Sequence, residues 1–134
     1  MSTLVDAITN IQAKADALSG IKAAPVNPPE DMSQFPFSVC YANVGGVEFR
    51  ASGFGDYLHT IYCEIHVARI ILPKAVAQAM PYIESFVSSV IADPTLGGNV
   101  SVVNNIRYTF GRLDWADKQH IGIRFEIDVK IHVS

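Results

Sequence analysis

The side chains with most scope for chemistry are the four histidines, His59, His66, His120 and His132, the two cysteines, Cys40 and Cys63, and the carboxylates near them. Glu64 and His66 stand two apart, as residues on one face of a strand do, and Asp128 shares that parity with His132. If those two segments paired, Glu64, His66 and His132 would form a His/carboxylate cluster. Such a cluster could hold a metal ion if ligands converged from several elements, or could transfer protons. The plainer reading is a solvated or interfacial sheet face, and that is the expectation. Cys63 and His66 are three apart and so point to opposite faces, which excludes a Cys–His nucleophile pair made from these two. Glu126 and Asp128 would lie roughly 6–7 Å apart along a strand, a spacing common to any exposed strand. The sequence has no GxGxxG, phosphate-binding loop, HExxH or GxSxG, and Gly53-Phe54-Gly55 reads as a turn. The expectation is therefore no enzyme, no cofactor and no metal.

The elements that must position these residues follow from periodicity. Leu4, Ile8, Ile11, Ala15 and Leu18 make one stripe of a helix over residues 3–18, capped by Thr3 and stopped by Gly20. Residues 22–36 hold Pro25, Pro28, Pro29 and Pro36 and predict a Pro-rich loop. Phe37–Asn43 reads as a strand with Phe37, Val39 and Tyr41 on one face, leaving the burial of Cys40 open. Glycines on either side of Val47–Ser52 suggest a hairpin arm or flap over residues 44–57. Tyr57–Ala68 alternates as a strand, with Ile61, Cys63, Ile65 and Val67 inside and Thr60, Tyr62, Glu64 and His66 on the polar side. A second helix opens at Pro73, with a stripe of Val76, Ala79, Met80, Ile83, Phe86, Val87, Val90 and Ile91, and Pro81 predicts a kink or break near Met80. Val100–Phe110 reads as a strand with an irregularity at Asn104-Asn105, and residues 111–119 as a polar loop. From Ile121 to Val133 every odd residue is apolar, which leaves only a strand. The result is one α+β domain spanning 1–134: a mostly antiparallel four-stranded sheet with an extra hairpin or flap, packed on one face by two amphipathic helices.

Composition narrows the function. The 134 residues suit a single core. Charged residues are 17%, below the usual ~25%, so part of the surface is expected to be covered by another protein. Ten basic and thirteen acidic residues give a net charge of −3, with the basic ones scattered, which argues against tight phosphate binding. The first residues do not read as a signal peptide, and no apolar run approaches the ~18 residues of a membrane span. Two reduced thiols are expected at Cys40 and Cys63, with a disulfide as the alternative.

Four features together resemble the tail terminator, or tail completion, proteins of long-tailed bacteriophages. An amphipathic helix and a Pro-rich linker lead into Gln34-Phe35-Pro36-Phe37-Ser38-Val39. The alternating strand Ile61–Val67 runs into Ile71-Leu72-Pro73 and the second helix. Asp93-Pro94-Thr95-Leu96-Gly97-Gly98 follows that helix, and Ile121–Ile127 lies in the closing strand. The resemblance implies a homohexameric ring that caps the tail tube, ends tail polymerisation and joins the tail to the head–tail connector. It implies location at the head-proximal end of the virion tail, with assembly in the host cytoplasm, and DNA passing through the lumen without specific binding. Expected contacts with sister subunits, the tail tube protein or the neck protein are Phe49 and Phe54 in the flap, Arg112, Leu113 and Trp115 in the 111–119 loop, and the mixed-charge series Arg124, Glu126, Asp128 and Lys130. The alternatives are another neck or tail-tube subunit, or a small dimeric α+β ligand-binding domain or enzyme using Glu64, His66 and His132.

Overall fold

The computed structural model describes residues 3–18, 20–21, 35–49, 55–68, 73–115 and 118–133, giving the backbone alone at positions 3, 44, 47–49, 55–57, 115, 118, 132 and 133. In chain order the elements are α1 (Thr3–Asp16), β1 (Phe37–Phe49), β2 (Gly55–Ala68), α2 (Pro73–Ile91), β3 (Val102–Trp115) and β4 (Lys118–Val133). The strands form one antiparallel sheet in the order β1-β2-β4-β3. Both helices lie on one face of it, so the α+β architecture is as expected. The Pro-rich segment 22–34 and Arg50–Phe54 lie outside the described residues.

The core is set by period-2 and period-3.6 patterns meeting. Ile61, Cys63 and Ile65 of β2 sit beside Ile127, Phe125 and Ile123 of β4, all fully buried. Onto them α2 lays Ala75, Ala79, Tyr82, Phe86 and Val90, with the Phe86 and Phe125 ring centroids 4.4 Å apart. α1 contributes Ala7, Ile11 and Ala15. Burying each large side chain stabilises by about 1.5–3 kcal/mol. Beneath α1, β1 places Ser38 and Cys40 on the helix side, and Gln12 of α1 donates from Nε2 to Ser38 Oγ at 3.0 Å. After α2, Leu96 is fully buried, followed by Gly97 and Gly98 at positive φ. Asp93 ties this loop to α1: Lys14 donates to its Oδ2 at 2.9 Å and the Gly97 amide to its Oδ1 at 3.0 Å.

The apolar face of β1 (Phe37, Val39, Tyr41) looks away from the helices, where the second sheet face carries a small core of its own, while Cys40, whose burial the sequence leaves open, looks toward them and is half-buried. Four sequence expectations need correction. Residues 44–49 and 55–57 are not a separate flap. They pair with each other as the outer part of a single long β1–β2 hairpin, and the bulge at Asn43 absorbs the glycine-rich irregularity. Residues 111–115 and 118–119 are paired strand, from Gly111↔Gly122 to Trp115↔Lys118, so the expected 111–119 loop is the closing end of the β3–β4 hairpin. An edge strand has one row of free backbone groups and takes polar residues, which is why that segment reads as loop. α2 does not break at Met80. Pro81 is on its exposed side, inside a helix that runs unbroken from Pro73 to Ile91. Finally, the buried stripe of α2 is centred on Tyr82 and Phe86, so Met80 and Ile91 are exposed, at 40% and 70%. The irregularity at Asn104-Asn105 is present as a β3 bulge between Val103 and Asn105.

Candidate functional site

Because β2 and β4 pair, the even residues of β2 share the helix-free face with those of β4. The register puts His66 opposite Gly122 and His132 opposite Asp56, at the other end of the sheet. His132 therefore plays no part near Glu64. Its place is taken by His120, which the structure brings to His66 because Gly122 has no side chain. A Cβ at Gly122 would lie 2.0 Å from the Ile65 carbonyl oxygen and 3.0 Å from His66 Cα, far inside contact distance.

The two imidazoles meet through Nδ1 atoms 3.0 Å apart. His66 Nε2 lies 2.9 Å from Glu64 Oε1, and Glu64 Oε2 accepts from Tyr41 Oη at 2.7 Å and Arg124 Nε at 2.9 Å. Aromatic rings enclose the pair. Phe37 stacks on His66 at 4.6 Å and 4°, and Phe35 meets His120 edge-on at 5.0 Å. Glu64, His66 and His120 are all buried. Burial on its own would raise the Glu64 carboxyl, but the bonds from His66 and Tyr41 and the Arg124 guanidinium more than offset it and hold it below the usual carboxylate range. Burial, then the bond to that carboxylate, push the Tyr41 phenol well up. With the carboxylate accepting His66 Nε2–H, one hydrogen fills the space between the two Nδ1 atoms. Each of these described contacts is internal, and the three titratable side chains at the centre are shut off from solvent. The arrangement fixes the packing of this sheet face. Among the described residues no group of three His, Cys, Asp or Glu side chains is placed to hold a metal ion.

The mixed-charge series also finds partners within the chain. Arg124 is drawn to Glu64 and lies over the Tyr62 ring, 4.9 Å from its centroid. Asp128 accepts from Thr60 Oγ1 at 2.8 Å and from Arg107 Nη1 at 2.6 Å, and Glu126 lies 3.7 Å from Arg107. Lys130 is half-buried. Arg112 is exposed on β3, but Leu113 is buried opposite His120, which removes it from the set free to meet a partner. Phe49 and Trp115 are placed by backbone pairing only, with Gly55 and Lys118, and Phe54 is outside the described residues.

A different surface stands open. β3 is an edge strand of 14 residues, and among those whose side chains are described only Leu113 is buried. On the helix side Val103, Ile106 and Phe110 are only partly buried against the core, and Val87, Val90, Ile91 and Pro94 face Val103 and Ile106 across a groove of about 440 Å³. Tyr108, 55% exposed, and Val102, 38% exposed, continue the same strand. Ile91 belongs to the apolar stripe expected for α2, yet it is 70% exposed among the described residues. A scan of protein-family models and a search of curated proteins return no match to this chain.

Proposed function

We propose that this protein is a structural subunit of a long-tailed phage tail, forming a homohexameric ring that caps the tail tube, ends its polymerisation and joins it to the head–tail connector. The observation that carries the assembly reading is the uncovered β3 flank: a 14-residue edge strand beside an apolar groove, with Ile91 and Tyr108 exposed. Exposed apolar groups grouped in this way mark protein contacts, and a surface different from whatever it meets generates rings when the rotation closes. The assignment to a phage tail rests on the resemblance in element order and in the Phe35-Pro36-Phe37 and Asp93–Gly98 segments. A net charge of −3 suits a lumen through which DNA slides without being held.

Light scattering on the purified protein and negative-stain images test the reading. The expected particle is a six-fold ring, formed either by the free protein or on the tail tip as template. Three-fold or five-fold density at this position in a tail reconstruction refutes it. Long tubes formed by the protein alone would make it a tube subunit instead. A stable dimer that binds a small molecule would make it a ligand-binding domain.

A further inference from the structure

We propose that Cys40 and Cys63 form a cross-strand dithiol that a low-molecular-weight disulfide converts into a covalent staple between β1 and β2. The inference is independent of the phage reading. Cys40 and Cys63 are directly opposed in the β1–β2 ladder and point to the same, helix-covered face. Opposed residues in antiparallel strands have Cα atoms about 4.5 or 5.5 Å apart, and both spacings fall within the ~4.4–6.8 Å that a disulfide spans. The ladder sets the two side chains beside each other on that face. Both cysteines are reduced in the structure.

Their surroundings divide the labour. Cys63 is fully buried between Ile61 and Ile65. Burial, followed by the bond to Cys40, pushes its thiol well up, so it stays protonated and does not open an exchange reaction. Cys40 is half-buried, on an edge strand whose inner face is otherwise Ser38 and Ala42, and is the accessible partner. With oxidised glutathione, the Cys40 thiolate attacks one glutathione sulfur, forming a mixed disulfide and releasing one glutathione thiolate. Cys63 then gives up its proton and attacks the Cys40 sulfur, expelling the second glutathione thiolate. Two protein thiols are oxidised to one disulfide, and one glutathione disulfide is reduced to two thiols. β1 is held to the sheet on one side only, by β2, so the staple acts where the sheet has least support.

The test treats the folded, reduced protein with oxidised glutathione. Thiol titration in denaturant is expected to fall from two groups per chain to none. The intact mass should drop by two hydrogens with no adduct, peptide mapping should join Cys40 to Cys63, and Tm should rise on the order of 10 °C, reversed by dithiothreitol. In Cys63→Ala the reaction should stop at a glutathione adduct on Cys40. In Cys40→Ser the folded protein should take no adduct on Cys63. Two thiols persisting after treatment of the wild-type protein, or disulfide-linked dimers through Cys40, would overturn the proposal.

Discussion

Replacing Glu64 by Gln tests the buried network most directly, because it changes charge with almost no change in shape. In the native protein the carboxylate takes three bonds, from His66, Tyr41 and Arg124, at 2.9, 2.7 and 2.9 Å. A bond to a charged acceptor contributes about 1.5–3 kcal/mol and a neutral one about 0.5–1.5, so neutralising the acceptor weakens the three by about 3 kcal/mol together. Burying an amide instead of a carboxylate recovers part of that, roughly 1 kcal/mol after relaxation. The net expectation is a loss of about 2 kcal/mol near neutral pH, read in urea as a midpoint lowered by about 1 M.

The pH dependence of that difference is the stricter test. The Glu64 carboxyl is held below its ordinary value in the folded protein. Its contribution is therefore fully present above the unfolded carboxylate pKa of 4.5, and is lost as pH falls through the lower folded value. Protonated Glu64 is a near copy of Gln, so the gap between wild type and Glu64→Gln should close in strong acid, while other titrations cancel in the difference. A variant as stable as wild type at pH 7, or a gap that does not narrow as the pH is lowered, would refute the reasoning.

Four further outcomes are expected. Gly122→Ala should cost more than about 3 kcal/mol or prevent folding, since its Cβ would strike the Ile65 carbonyl. Gly46→Ala, with open space at its Cβ, should be neutral or stabilising by up to about 1 kcal/mol by thermal melting. Phe86→Ala should cost about 3–5 kcal/mol in denaturant unfolding, whereas Met80→Ala, on the exposed side of α2, should cost less than about 0.5. Equal losses at the two sites would mean that the stripe is turned the other way. Tyr108→Glu should leave Tm within about 2 °C of wild type, because the ring is 55% exposed, yet abolish ring formation and the joining of tails to heads. Unchanged assembly would remove the β3 flank from the contact model.

How far the fold is legible depends on whether one face of an element dominates its sequence. β4 is read correctly because its odd residues are all buried from Ile121 to Ile131. α1 is also clear, since one stripe, Ala7, Ile11 and Ala15, supplies its whole burial. β1 misleads because both its faces are partly apolar. Phe37 and Val39 are buried away from the helices, while the small residues Ser38 and Cys40 lie on the helix side and give a weak pattern. In α2, apolar residues cover more than half the circumference, so the true centre at Tyr82 and Phe86 is hidden among neighbours that are equally apolar.

The polar network was half visible for a related reason. Glu64 and His66 share a parity, and the pairing of their strand with the last one follows from antiparallel order. The identity of the partner histidine depends on register, which a parity argument leaves free by any even number of residues. Sliding β4 to bring His132 to His66 would satisfy alternation as well as the observed register does. What forbids the slide is local: the backbones close up where Gly122 passes Ile65 and His66, and the β3–β4 hairpin runs to Trp115↔Lys118, so His120 falls within the strand. Ending β4 at Ile121 left His120 in a loop, and with it the one cue, a His-Ile-Gly run opposite a Glu-Ile-His run, that would have joined the two histidines. The same logic explains why the charged series tempted an interface reading. Arg124, Glu126 and Asp128 alternate as free surface charges would, but their partners Glu64 and Arg107 come from β2 and β3, on either side of β4. With those charges paired within the chain, the case for a contact surface rests instead on the exposed Ile91 and Tyr108, beside β3 and the end of α2.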